Sequence, residues 1–253
     1  YIGFQPFLHL HAYCTRPTMM KPVLASVFVA TAAGLRAQSA IKEQATGECA
    51  CLQWKDAYAS YGAECGDVHE FSVVGSAPKF LAKLAVGEEF CTKFFKRVQD
   101  NFCVSTHFNH AEDIEQQWCY VSSKCQDLGA GKAVNERVSW KTCSAGNDKM
   151  MNAVTPTELA DMAVKLDLDL GLLAKMSWQV PNKWSHASTT EKEKARASGM
   201  PKLFDSDSGH PPFRAMYGDK LYKIDFLPAP DGVEAYKQGR MGKVNGLSCE
   251  FGC

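Results

Sequence analysis

The chain has 253 residues, of which 28 are basic and 28 acidic, with 45% hydrophobic and 11% aromatic residues. That balance fits a folded globular protein and excludes a collagen-like or low-complexity disordered one. The net charge of zero says little about partners, but no basic patch of the kind that nucleic acid requires emerges along the chain, so no nucleic-acid partner is expected.

Residues 1–19 show neither a helical nor a strand period and read as leader sequence or a gene-model artefact. Met20-Lys21, the apolar run from Val23 to Ala33 and the small residues up to Ala40 follow the order of a secretory signal peptide over 20–40. The run is shorter than the roughly 20 apolar residues that span a bilayer. The mature chain is therefore expected to begin between Ala33 and Ile41 and to reside outside the cell or in the secretory-pathway lumen. Residues 1–40 hold Arg16, Lys21 and Arg36 and no acids, so the remainder carries 25 basic and 28 acidic residues, a net −3. Beyond Ala40 there is no Asn-x-Ser/Thr glycan acceptor, no further long apolar segment and no retention address. No membrane span is expected in the mature chain.

Of eleven cysteines only Cys14 lies in the leader region. The other ten are Cys49, Cys51, Cys65, Cys91, Cys103, Cys119, Cys125, Cys143, Cys249 and Cys253. An even set in a secreted chain reads as five disulfides. Cys49 and Cys51 are too close to pair without strain and need separate partners. The C-x2-C pairs typical of structural zinc sites are absent.

Eight of these cysteines lie between Cys49 and Cys143, which divides the mature chain into a cysteine-rich domain, 41–145, and an α+β region, 146–253. In the first part a helix is expected from Leu52 to Tyr61, with Leu52, Trp54 and Tyr58 facing inward. A second is expected from Glu88 to Gln99, where Phe90, Cys91, Phe94, Phe95, Val98 and Phe102 recur at three- and four-residue steps. The second part opens on a capping box, Thr155-Pro156-Thr157-Glu158, which starts a helix at Pro156 with Leu159, Met162, Ala163 and Leu166 buried. Leu168 to Met176 reads as a further helix. Glu191 to Ser198, a run of alternating charge, reads as a third, with Thr190 as N-cap and Glu193 at N3. Phe213 to Tyr217 and Leu221 to Phe226, separated by a Gly218-Asp219 turn, read as a β-hairpin. A short helix is expected from Val233 to Gln238. The expected fold class is thus α+β, mainly helical, with a disulfide-rich first half and helices plus a hairpin in the second.

Asn101-Phe102-Cys103, Trp118-Cys119-Tyr120 and Trp140-Lys141-Thr142-Cys143 resemble, in that order, the latter half of kringle and fibronectin type II modules. The resemblance covers residues 101–143 and implies ligand binding rather than catalysis. Over most of the mature chain, Cys49-Ala-Cys51-Leu-x-Trp54, Gln117-Trp118-Cys119-Tyr120, the stretch Leu166 to Leu173 and the stretch Phe204 to Pro212 are similar to secreted cysteine-rich proteins of dinoflagellate algae. That group implies no activity.

Two constellations could bind a cation, Ca²⁺ or Zn²⁺, although no cofactor is expected. Asp205-Ser206-Asp207-Ser208-Gly209-His210 places two carboxylates and an imidazole in one loop, but it departs from an EF-hand at its fifth position, Gly209, and its twelfth, Met216. His107 and His110 sit one residue short of the His-Glu-x-x-His spacing. A polar turn and a solvated loop account for the same residues. The expected function is that of a secreted, disulfide-stapled binding protein for a protein or glycan ligand. A metal-assisted hydrolase using Asp205, Asp207 and His210, or His107 and His110, is the enzymatic alternative, and a structural coat or matrix component is the third.

Overall fold

A computed structural model describes residues 47–108, 116–227 and 244–253. The signal peptide expected at 20–40, His110 and the helix expected at Val233–Gln238 lie outside the described residues. Among the described residues there are five α-helices: α1 (Trp54–Ala59), α2 (Lys79–Gly87), α3 (Pro156–Leu166), α4 (Leu170–Ser177) and α5 (Thr189–Ala197). They share the described chain with two antiparallel four-stranded sheets. The first has the order β1 (Val104–Ser105), β2 (Gln117–Ser122), β4 (Val138–Thr142), β3 (Lys132–Ala133). The second runs in sequence through β5 (Lys202–Phe204), β6 (Phe213–Tyr217), β7 (Lys220–Asp225) and β8 (Gly246–Phe251).

The expectation of a mainly helical protein is therefore corrected: the chain is α+β, with 31% helix against 23% strand. The missed strands have a physical explanation. The first five residues of β2 and the first four of β4 are all buried, so both faces of each strand are covered and the apolar/polar alternation that reveals a strand is missing.

The helix expected over Glu88–Gln99 is also displaced. Pro78 precedes α2, which ends at Gly87 and continues as a π turn over Glu88–Thr92; only a 3₁₀ turn, Phe95–Arg97, follows. Phe94 has φ −125° and ψ −92°, outside the helical region, and breaks the run. Phe90, Cys91, Phe94, Phe95, Val98 and Phe102 are nevertheless all buried, so the apolar stripe marked the core correctly and the secondary structure wrongly.

α1 is held by Trp54, whose ring centroid lies 4.9 Å from those of Phe95 and Trp118 and whose Nε1 donates to the Phe102 carbonyl at 2.8 Å. Such aromatic pairs add about 0.5–1.5 kcal/mol each beyond burial. α3 starts as its capping box requires: Thr155 Oγ1 accepts from the Glu158 amide, and the Glu158 carboxylate accepts from the Thr155 amide at 3.0 Å. α5 instead uses the overlapping box Ser188 to Glu191, two residues before the expected cap. The hairpin of β6 and β7 pairs Tyr217 with Lys220 around Gly218, whose φ of +56° is one that glycine adopts without steric cost.

The structure pairs the ten cysteines as Cys49–Cys125, Cys51–Cys119, Cys65–Cys91, Cys103–Cys143 and Cys249–Cys253. Their Cα–Cα separations of 4.7 to 6.4 Å lie within the range a disulfide spans. One set of packed apolar side chains runs from Trp54 to Val244, across residues 144–148. Gln117 ties the halves: its Oε1 accepts from the Met151 amide at 2.8 Å and its Nε2 donates to the Ser177 carbonyl at 3.1 Å.

Candidate functional site

All eight residues of α4, Leu-Gly-Leu-Leu-Ala-Lys-Met-Ser, are buried, so Lys175 is carried inside by an otherwise apolar and small-residue helix. A buried ammonium needs a counter-charge. Asp205, at the end of β5 and equally buried, supplies it with Oδ2 at 3.1 Å from Nζ. The ammonium also stands 4.4 Å from the Phe213 ring centroid and 5.8 Å from that of Phe108, so two phenyl faces replace part of its lost hydration. Burial pushes the Lys175 pKa down, and the Asp205 charge and hydrogen bond oppose that shift.

Lys175 lines a cavity of about 210 Å³ together with Phe90, Phe108, Phe213, Glu89 and Asp169. Phe90 comes from the π turn and packs edge-on against Phe108, centroids 5.1 Å apart. Phe108 follows β1, and its amide donates to Ser72 Oγ at 3.0 Å. Asp169 caps α4: Oδ1 accepts from the Leu172 amide at 2.7 Å, and Oδ2 accepts from the Val244 amide. Burial raises its pKa to about 6, the amide bonds oppose this, and the Glu89 charge adds to it. Gly171 keeps the floor open. A Cβ there would lie 3.0 Å from Phe213 Cε2, 3.2 Å from Asp169 Oδ1 and 3.3 Å from Val244 Cγ2.

In the loop from Asp205 to His210 the three candidate side chains take separate partners. Asp205 turns inward to Lys175, and its Oδ1 accepts from the Ser206 amide at 2.8 Å. Asp207 accepts from the Ser185 hydroxyl, and its carbonyl accepts from Lys183 Nζ at 3.0 Å. His210 Nδ1 is 2.7 Å from Ser208 Oγ. Among the described residues these three side chains do not converge as a ligand set. Gly209, within the loop, and Pro211, just after it, line the wall of the 210 Å³ cavity. His107 lies beside His69, ring centroids 6.4 Å apart, at a second cavity of about 350 Å³.

His69 and Glu70 are titratable groups that sequence reasoning passed over, as it did Lys175 and Glu89. Burial, with smaller contributions from His107 and Lys132, lowers the His69 pKa to about 4 and keeps the ring neutral. Its Nε2, with Trp118 Nε1 and Trp140 Nε1, is buried and has no hydrogen-bond partner among the described residues. The His69 ring meets Trp140 edge-on at 4.7 Å and 89°, a geometry in which an aromatic face receives polar hydrogen. Glu70 is fully buried and accepts from Tyr120 Oη at 2.6 Å, Tyr58 Oη at 2.9 Å and the Val68 amide at 3.0 Å. Burial raises its pKa against those hydrogen bonds. Lys175 had a legible signal, a lysine amid Leu170 to Met176; Glu70 and His69 had none, because no periodic element carries them.

Among the described residues no helix is long and apolar enough to cross a membrane. Comparison of the chain with family models, with curated proteins and with solved structures returns no match.

Proposed function

We propose that this is an extracellular binding protein whose 210 Å³ cavity takes one sugar ring of a glycan ligand. The observation that carries the reading is the convergence of three phenyl rings, an ammonium and two carboxylates on one small space. Flat C–H faces of a pyranose stack on phenyl rings, while its hydroxyls need both donors and acceptors. Lys175 supplies the donor, and Glu89 an acceptor at the cavity lining. The volume suits a single ring rather than a drug-sized ligand, whose pockets run about 300–1,000 Å³. Both Asp169 oxygens are held by backbone amides and Lys175 is held by Asp205, so the charged groups are fixed for positioning and not poised for transfer. The disulfides support an oxidising location.

The test is calorimetry of the folded protein against a panel of methyl glycosides, with Gly171→Ala as the blocked form. Saturable heat from at least one glycoside, weakened tenfold or more by the added methyl group, is the expected outcome. Absence of saturable binding across the panel, or equal binding by Gly171→Ala, would remove the cavity from the function.

A further inference from the structure

Cys51, Cys103, Cys119 and Cys143 come from four separate stretches: the segment before α1, the segment before β1, β2 itself and the residue after β4. No sequence spacing reveals that they belong together. The fold stacks the Cys51–Cys119 and Cys103–Cys143 disulfides so closely that the four sulfurs all lie within 4.8 Å of one another. Between the pairs, Cys51 Sγ is 3.6 Å from Cys103 Sγ and 4.0 Å from Cys143 Sγ. Four thiolates around zinc, each about 2.3 Å from the metal, stand about 3.8 Å apart along every edge of the tetrahedron. The two distances from Cys51 lie close to that edge, and all four sulfurs fall within about 1 Å above it or nearer.

We propose that these four cysteines form a tetrahedral tetrathiolate site for Zn²⁺, which becomes available when a dithiol reductant cleaves the two disulfides. Each disulfide accepts two electrons and two protons from one dithiol, which leaves as its own disulfide. Zn²⁺ then displaces the four thiol protons and forms four Zn–S bonds. Within each pair the sulfurs separate from bonding distance to the tetrahedral edge. The Cα–Cα separations of 5.7 and 6.4 Å leave that movement to the side chains.

The surroundings suit the metal. Cys103 and Cys119 are fully buried beside Val121, which keeps competing water away from the bonds. Zinc with four thiolates carries a charge of −2, and Asp148 Oδ1, 3.6 Å from Cys51 Sγ, would add to it. Lys141 answers that charge: its Nζ lies 2.7 Å from Asp148 Oδ1, with both side chains buried. The site is independent of the sugar cavity, and its test does not depend on any glycan.

The experiment reduces the full-length chain with dithiothreitol under argon, removes the reductant by gel filtration and titrates with Co²⁺ followed by Zn²⁺. The expected result is uptake of a single equivalent of Co²⁺ with the strong ligand-field absorption of tetrahedral thiolate coordination, lost again as Zn²⁺ displaces it. X-ray absorption of the zinc form should report four sulfur neighbours and no nitrogen or oxygen. The double variant Cys103→Ser/Cys143→Ser should lose the cobalt signal at least tenfold, whereas Cys65→Ser/Cys91→Ser should retain it. No uptake by the wild-type chain, a mixed first shell, or equal uptake by the two double variants would overturn the proposal. The wild-type absorption measurement decides the matter even where a variant fails to fold.

Discussion

Replacing Glu70 by leucine removes the one acceptor shared by Tyr58, Tyr120 and the Val68 amide. Tyr120 is 1% exposed, so its hydroxyl cannot turn to water, and Tyr58 and Val68 are half-buried. An abandoned buried donor costs about 1–3 kcal/mol, more where its partner was charged. The full penalty for Tyr120 and partial ones for the other two give a loss of about 3–5 kcal/mol, after allowing for the relieved desolvation of the carboxyl. Against a total stability of about 5–15 kcal/mol, that is a large fraction. With guanidinium m-values of roughly 4 kcal/mol/M for a chain of this size, the unfolding midpoint should fall by about 1 M. Fluorescence of Trp54, Trp118 and Trp140, which surround the network, reports the transition with the disulfides intact. The triple variant Glu70→Leu/Tyr58→Phe/Tyr120→Phe removes donors and acceptor together and should recover at least half of the loss, because apolar groups of the same shape leave nothing unsatisfied. A single variant within 1 kcal/mol of wild type, or a triple variant no better than the single, would refute the claim that hydrogen bonding to Glu70 holds this part of the core.

The remaining predictions concern pH and cross-linking. Asp169 has its pKa raised from 3.8 to about 6, so the folded state keeps a proton that the unfolded chain releases; its contribution is full below pH 4 and is lost as pH rises through 6, by at most about 3 kcal/mol. His69, lowered from 6.5 to about 4, acts in the opposite sense and adds stability as pH rises from 4 to 6.5. Asp169→Asn should therefore make the midpoint of thermal unfolding climb more steeply with pH across 4–6 than it does in wild type, and an unchanged slope would contradict the assignment. Loop-closure entropy gives about 4 kcal/mol for Cys103–Cys143, with a separation of 40 residues, and about 2 kcal/mol for Cys249–Cys253, with a separation of 4. Paired alanine substitutions, compared by denaturant unfolding, should rank in that order, and the reverse order would sink the argument.

What the chain determines locally is written in residues a few positions apart. Thr155, Pro156 and Glu158 satisfy the first amides of α3 by themselves, and Gly218 between two apolar runs fixes the β6–β7 hairpin. The even cysteine count fixes chemistry without pairing: Cys51 meets Cys119, and then Cys103 and Cys143, only because β2 and β4 lie side by side. Ser188 and Thr190 each begin a legitimate capping box. The first is used, and burial of Ala187 and Ala195 against Phe204 and Met216 is a packing term no local pattern contains. β2 and β4 were illegible because burial on both faces erases the period of two, and the helix expected at Glu88 failed because an apolar stripe records depth, which a π turn and a 3₁₀ turn can also satisfy. The candidate site is the furthest from local control. Lys175 and Asp205 are 30 residues apart, on a helix and a strand end, and Phe90, Phe108 and Phe213 come from three more segments. Tertiary structure alone decided that site, because a charge pair in low dielectric is stable only where the whole fold brings both members in together.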